Sequence, residues 1–275
     1  MKSDWNMKHQ THHTNSRRRG MTLIELLVVI SIIGVLAGLI LPAVGKAKLK
    51  AKILAAQKDM ADFKGAINVY QQDYNRLPSS GSPGGAGTLG VDFTYGTTGT
   101  GYGTNIFNTG VGAAAVAGTY EASNAELIAI LTGNTASMSG YAAMHASVAN
   151  DGKNPRKTAY FNAKPAPGGS GATAGPGLGT DGVFRDPWSN PYIVALDLNY
   201  DNSVSNSLYR LQGVTQKSGG SPAGHFGLVG VANGNNNNYT VRDTVMVFSF
   251  GPDGMFDSGT KADAGVNRDN ILCWK

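Results

Sequence analysis

The chain has 275 residues, 38 of them glycine, and charged residues make up only 15% of it. A hydrophobic content of 41% is ordinary for a folded protein and excludes wholesale disorder. The single cysteine, Cys273, excludes an internal disulfide and a multi-cysteine zinc site. The net charge of +5 arises before residue 77, because residues 77–275 carry 11 basic and 13 acidic side chains. A basic groove for nucleic acid is therefore not expected.

Residues 21–42 form an apolar segment, MTLIELLVVISIIGVLAGLILP, in which Glu25 is the one charge. At about 1.5 Å per residue, it spans about 30 Å, one hydrocarbon thickness. The basic cluster Arg17–Arg19 predicts a cytoplasmic N-terminus and an extracytoplasmic remainder. A buried core helix and a secretory signal cleaved after Ala37 are the alternatives. The length and the arginines argue against the first, and the insertion cost of Glu25 argues against the second.

The run GMTLIELLVVI that begins at Gly20 resembles the class III signal of type IV pilins and type II secretion pseudopilins. Basic residues, a glycine and an apolar run with glutamate at its fifth position carry this resemblance. It implies that residues 1–20 are a cytoplasmic leader, and that a prepilin peptidase cuts between Gly20 and Met21 and methylates the new amine. It also implies that Glu25 neutralises the Met21 ammonium of a neighbouring subunit, since an unpaired charge is costly in lipid. Pro42 stands where the family often has a helix-kinking proline.

A stripe of apolar residues at spacings of three and four predicts an amphipathic stem helix over residues 43–76. Its members are Ile53, Ala56, Met60, Phe63, Ile67, Tyr70 and Tyr74. Pro78 disfavours helix in the residue before it, so we expect one long, gently bent helix from about 22 to 75. The lysines at 46, 48, 50 and 52 are either a solvated face, or a surface for anionic headgroups or for acids of an adjacent subunit.

Residues 77–275 are expected to form an extracytoplasmic head. Glycine-rich stretches at 79–120 and 163–182 predict long loops, which serve subunit packing or ligand binding. A short helix is expected at Asn124–Thr132, capped by Ser123 or Asn124. Branched and aromatic residues predict strands at Ile193–Leu198, Tyr239–Val241 and Val245–Phe250. The expected fold class is α+β: a long N-terminal helix, membrane-spanning in its first half, packed against a small antiparallel sheet with long glycine-rich loops.

Two segments of the head extend the resemblance to the major pseudopilins of type II secretion. DPWSNPY at residues 186–192 is similar to their DPWGNPY signature, and residues 249–254 with 269–274 resemble their C-terminal calcium loop. The resemblance implies calcium ligands at Asp253 and Asp269, with a carbonyl near Ser249. Asp257 and Asp263 lie between them among glycines, and Ca²⁺ prefers six to eight oxygen ligands. A solvated acidic loop is the alternative.

A weaker calcium-like pattern occurs at Asp197–Asn202. Its twelfth position is Leu208 instead of the bidentate acid that an EF-hand needs. A β-turn is therefore the favoured interpretation of this segment.

The resemblance implies a structural subunit of a type II secretion pseudopilus that drives protein export. Before assembly it would be a single-pass inner-membrane protein with its head in the periplasm. Implied partners are the prepilin peptidase, further copies of the chain, minor pseudopilins and an inner-membrane assembly platform. The alternatives are a type IV pilus subunit for adhesion, motility or DNA uptake, and a secreted hydrolytic or glycan-binding domain beginning at Gly38. No nucleophile-elbow, phosphate-loop or zinc spacing occurs, so no enzymatic activity is expected.

Overall fold

The structure, a computed structural model, describes residues 20–79, 92–96, 123–133, 152–169, 174–206, 208–217, 223–230 and 239–275. The leader up to residue 19 and most of the glycine-rich middle, for which the sequence analysis makes predictions, lie outside these ranges. The chain forms two compact units, one that ends at Leu49 and one that spans Lys50–Lys275.

The first helix, α1, spans Leu23–Tyr74 and continues through Pro42, within one residue of the expected bounds. It ends where Asn75 adopts a left-handed backbone with φ of 51°. In the second unit, the predicted stripe faces the core: its five central members are completely buried. They are Ala56, Met60, Phe63, Ile67 and Tyr70.

A four-stranded antiparallel sheet forms the centre of the second unit, in the order β1-β4-β7-β8. These strands are β1 (Phe93–Tyr95), β4 (Ile193–Leu196), β7 (Val245–Ser249) and β8 (Ile271–Leu272). A two-stranded ribbon pairs β2 (Gly177–Leu178) with β3 (Phe184–Arg185), and a second pairs β5 (Val229–Gly230) with β6 (Tyr239–Thr240). The expected strand at Tyr239–Val241 is therefore shorter and lies outside the main sheet, because its partner is β5 and Val241 instead bridges to Val204. The expected α+β class is confirmed.

Both faces of the central sheet are covered, as alternation along β4 and β7 requires. Val194, Leu196, Val245 and Val247 pack in one cluster with α1 and with α2 (Ala125–Thr132). The intervening residues, Ile193, Ala195, Met246 and Phe248, pack in a second cluster with Tyr209 and Phe250. Helix α3 (Gln212–Thr215) contributes Val214 to this second cluster.

Asn124 precedes α2, but its side chain does not cap the helix as expected. Its amide nitrogen donates to the carbonyls of Phe184 and Tyr192, both at 2.9 Å, and its oxygen accepts the Phe184 N–H at 3.0 Å. Ser123 Oγ instead accepts the N–H of Ala125 at 3.2 Å. Asn124 is completely buried, and it supplies a partner to the Phe184 N–H and to the Tyr192 carbonyl, and a second donor to the Phe184 carbonyl, which also accepts the Tyr192 N–H.

The single cysteine follows β8 at the end of the sheet. Cys273 Sγ accepts the N–H of Val247 at 3.1 Å, and the Cys273 N–H donates to the Val247 carbonyl at 3.0 Å. Burial raises the pKa of the Cys273 thiol. The thiol is thus part of the packing and its reactive thiolate form is disfavoured.

Candidate functional site

The N-terminal end of α1 presents the residues around the expected processing point. Gly20 and Met21 are exposed and precede the helix. Thr22 N–H and Oγ1 donate to Glu25 Oε2 at 2.7 and 3.0 Å, while Glu25 N–H donates to Thr22 Oγ1 at 3.3 Å. This reciprocal pattern is a capping box, and it satisfies donors that a helix start leaves unpaired. The Glu25 carboxylate is thereby oriented toward the end that carries Met21.

The segment Leu23–Leu41 of α1 is apolar and exposed along its length. The side chains remain open to the surroundings on every face of the helix: Leu23 is 81% exposed and Leu41 is 73% exposed. By length and composition the helix suffices to cross a membrane. Exposed apolar surface of this extent marks contact with lipid or with other apolar helices.

The DPWSNPY segment folds into a tight turn closed by a buried carboxylate. Asp186 Oδ1 accepts the N–H groups of Trp188 and Asn190 at 2.8 and 2.9 Å, and Asp186 N–H donates to the Asn190 carbonyl. Asp186 Oδ2 accepts the Ser249 hydroxyl at 2.5 Å. Asp186 is completely buried, and this burial raises its pKa to about 6 despite those bonds.

The same turn is joined to the C-terminal loop. Ser249 Oγ accepts the Gly251 N–H at 2.9 Å, and Asn190 Nδ2 donates to the Gly251 carbonyl at 3.1 Å. Gly251 has φ of 70°, and a Cβ there would collide with the Asp269 carbonyl. The two segments that resemble major pseudopilins in sequence therefore form one hydrogen-bonded unit, which holds Gly251 against Asp269.

The four residues expected at a calcium site lie in different surroundings. Asp253 and Asp269 come from neighbouring 3-10 turns, Gly251–Asp253 and Gly265–Asp269. Burial and the nearby charge of Asp253 raise the pKa of Asp269, and Asp269 Oδ1 is buried with no hydrogen-bond partner among the residues that the structure describes. A buried carboxylate oxygen without a donor, beside a second carboxylate, fits a cation ligand.

Asp257 and Ser249 are engaged elsewhere. Asp257 accepts the Gly259 N–H at 2.8 Å and the Thr260 hydroxyl at 2.5 Å, and these bonds lower its pKa. The Ser249 hydroxyl is taken up by Asp186, which leaves its carbonyl as the relevant ligand atom. Within the described ranges, no group of three or more His, Cys, Asp and Glu side chains is arranged to hold a metal ion. Any calcium ion here would need carbonyl and water oxygens besides Asp253 and Asp269.

The weaker calcium-like pattern folds as a turn. Asp197 is completely buried, and its carboxylate accepts the N–H groups of Asp201 and Asn202 at 3.2 and 2.8 Å. Asp92, outside the pattern, bonds to the Ser205 N–H at 2.6 Å. Burial, with the charges of Asp197 and Asp201, raises the pKa of Asp92 to about 6. The sequence does not predict that Asp92 lies near this turn, because Asp92 precedes the pattern by about a hundred positions.

Known proteins match part of this chain. A family model described as the prokaryotic N-terminal methylation motif matches residues 15–41. Type II secretion system core protein G of Pectobacterium carotovorum subsp. carotovorum is 44% identical over 64 residues, which are 23% of this chain and 41% of that protein. The protein of the same name from Klebsiella pneumoniae is 41% identical over 64 residues, covering 23% of this chain and 46% of its own. A fimbrial protein of Neisseria meningitidis serogroup B is 32% identical over 74 residues, which are 27% of this chain and 44% of that protein.

The chain spans less than half the length of these relatives. No solved structure matches the chain significantly. The matched residues include the exposed apolar helix and the capping box at its start. The matches confirm the resemblance to type II secretion pseudopilins and other type IV pilin-like proteins.

Proposed function

We propose that this chain is a structural subunit of a type II secretion pseudopilus, with no enzymatic activity of its own. In this proposal a prepilin peptidase cuts between Gly20 and Met21 and methylates the Met21 amine. Before assembly, α1 anchors the subunit in the inner membrane, with its N-terminus in the cytoplasm and its head in the periplasm. It then joins a filament that drives protein export, with minor pseudopilins and an inner-membrane platform as partners.

The observation that carries the proposal is the exposed apolar helix that begins with a capping box. Because the large apolar side chains of Leu23–Leu41 are exposed, they require lipid before assembly and other helices after it. Removal of residues 1–20 would eliminate the basic leader but keep this helix. It would also create an ammonium group at Met21, close to the Glu25 carboxylate.

Glu25 would act between subunits. Within one subunit its Oε2 bonds to Thr22, and among the described residues no donor bonds to Oε1, so the carboxylate retains acceptor capacity for the ammonium of a neighbour. Pairing would remove two uncompensated charges from an apolar filament core. We therefore expect Glu25→Ala to be cleaved normally but to assemble poorly, measured as sheared filament recovered by sedimentation. Wild-type amounts of filament from this variant would contradict the assembly role.

Calcium would order the C-terminal loop of the head. Asp253 and Asp269 would hold the ion with carbonyl oxygens of the loop, and the bound charge would neutralise the two facing carboxylates. A ligand that binds only the folded state raises its stability. Addition of Ca²⁺ to chelator-treated protein is therefore expected to raise its melting temperature, and Asp269→Asn is expected to reduce that increase. An unchanged melting temperature would contradict calcium binding at this loop.

A type IV pilus subunit is the second candidate, and the similarity to a Neisseria fimbrial protein favours it. The DPWSNPY turn and its bonds to the C-terminal loop favour the pseudopilus, because these two segments carry the resemblance to major pseudopilins.

Mass spectrometry of the full chain, produced with a prepilin peptidase in a bacterial membrane, tests the processing step. N-methylated Met21 is expected, and cells without the peptidase should retain residues 1–20. A chain that begins at Gly38 would sink the pilin-like interpretation. In a strain that lacks its core protein G, restored secretion supports the pseudopilus, whereas surface filaments without secretion support the pilus.

A further inference from the structure

A cleft of about 790 Å³ lies between the Asp197–Asn202 turn and the β5–β6 ribbon. The bridge between Val204 and Val241 joins the end of the turn to the end of β6. Within the ribbon, Val229 is paired with Thr240. Side chains from three separate segments therefore border one cleft: Asp201, Asn202, Ser203, Val229, Thr240 and Arg242.

Hydrogen bonds hold the turn beside the cleft in one shape. The Asp197 carboxylate accepts two main-chain N–H groups of the turn, and Asp201 Oδ1 accepts the Ser203 N–H at 2.8 Å. Asp201 Oδ2 accepts the side-chain amide of Asn199 at 3.0 Å. These bonds fix the backbone of Asn202 and Ser203 without using their side chains. A site that is already ordered loses less conformational entropy when a ligand binds.

The backbone that borders the cleft is strained. In the turn, Tyr200 and Asn202 have φ of 59° and 61°, and Phe226, next to the cleft-lining Gly227, has φ of 54°. These three are half of the six non-glycine residues with positive φ in the part of the chain that the structure describes. Bulky side chains adopt this left-handed conformation only at a cost, and such residues concentrate at binding and catalytic sites.

The side chains of the cleft offer hydrogen-bond donors and acceptors together with an apolar surface. Asp201 and Arg242 are the charged residues that line it, and their charges cancel. Asp243, next to Arg242, is paired with Lys64 instead. Val229 is 55% exposed and supplies the apolar surface. Four polar side chains of the cleft make no hydrogen bond within the described ranges: Asn202, Ser203, Thr240 and Arg242.

We propose that this cleft binds a neutral oligosaccharide, a function that does not depend on the proposed filament. Sugar hydroxyls donate to the Asp201 carboxylate, whose oxygens each hold one bond in the turn and keep a second lone pair. They accept from the Arg242 guanidinium, and the C–H face of a sugar ring packs on Val229. An anionic ligand would be repelled by Asp201 and by the nearby Asp92 and Asp197. A cationic ligand would meet Arg242 inside the cleft, whereas Asp92 and Asp197 do not line it.

Binding of neutral trisaccharides to the full chain tests the proposal, with maltotriose, cellotriose and triacetylchitotriose as the probes. The protein is kept in a detergent without a sugar headgroup, because an alkyl glycoside would compete for the cleft. Saturation-transfer NMR detects the contact, and titration calorimetry measures the dissociation constant. We expect at least one of these sugars to bind with a dissociation constant in the millimolar range or below. Failure of all of them to bind would overturn the proposal.

Two arginine variants form a matched pair, because Arg242 and Arg156 are both exposed and only Arg242 lines the cleft. Arg242→Ala should weaken sugar binding about tenfold, the loss expected for a hydrogen bond from a charged donor, and Arg156→Ala should leave it unchanged. Equal affinities in the two variants would refute this site. Equal melting temperatures check that both variants fold.

The dipeptides dialanine and dilysine serve as charged probes in the same titrations. Their ends or side chains could pair with Asp201 and Arg242, whereas a neutral sugar makes no ion pair there. We expect sugar affinity to change little between low and high salt, since no net charge is neutralised on binding. Binding of a dipeptide without binding of any sugar would assign the cleft to peptides and overturn the proposal.

Discussion

Ser249 links the DPWSNPY turn to the C-terminal loop, so removal of its hydroxyl should destabilise the head. Ser249→Ala removes the donor to Asp186 Oδ2 and the acceptor of the Gly251 N–H. Both partners are buried, and a buried polar group without a partner costs about 1–3 kcal/mol, more when it is charged. We therefore expect a loss of about 2–4 kcal/mol in the free energy of unfolding. At about 2–4 °C per kcal/mol for a domain of this size, the melting temperature should fall by about 5–15 °C.

The measurement is thermal unfolding of the full chain in detergent, followed by near-ultraviolet circular dichroism, with and without Ca²⁺. Ser258→Ala is the control, since Ser258 lies in the same C-terminal region and is only partly buried. Ser249→Ala retains the main-chain carbonyl, so the proposed calcium ligand is not removed. A melting temperature within about 2 °C of the control would refute the reasoning, because the two orphaned groups would then have found water or another partner.

Two further predictions concern buried polar groups of the head. Asn124→Ala should lower the melting temperature about as much as Ser249→Ala, because it removes the partners of the Phe184 N–H and the Tyr192 carbonyl. A change as small as that of Ser258→Ala in the same assay would contradict this. Asp92→Asn should raise the melting temperature by a few degrees at pH 7.5 and not at pH 4. The folded-state pKa of Asp92 is raised from 3.8 to about 6, so its ionised form destabilises the fold above pH 6, and this penalty fades as the pH falls toward 4. Equal shifts at both pH values would disprove the assigned cause.

The helix and the face it buries were predictable because their signal is local. Met60, Phe63 and Ile67 recur with the period of a helix, and Pro78 marks its end, so the expected bounds agree with Leu23–Tyr74 to within one residue. The Thr22–Glu25 capping box was also readable from its spacing of three. Glu25 thus closes the capping box within its own subunit, besides the role that is proposed for it between subunits.

The polar contacts of the head were harder to predict from the sequence, because they join residues that are distant in the chain. Asp186 and Ser249 are separated by 63 positions, and Asn124 and Phe184 by 60. Each segment alone has an ordinary local interpretation, a turn or a cap. The sheet brings β7 beside β4, and this pairing places the Ser249 hydroxyl within hydrogen-bond distance of Asp186 in the turn before β4. Asp257 illustrates the converse, since its nearest donors, on Gly259 and Thr260, lie in its own turn.

The partly buried thiol of Cys273 makes this chain convenient for chemical labelling. Because it is the only cysteine and its thiolate is disfavoured, a maleimide probe should react with it slowly in the folded protein. A cysteine introduced at Val69 or at Val229 would then carry nearly all of the label without any prior removal of the native residue. Probes at these two positions would report separately on the stem and on the head, and would thus follow the proposed entry of subunits into a filament.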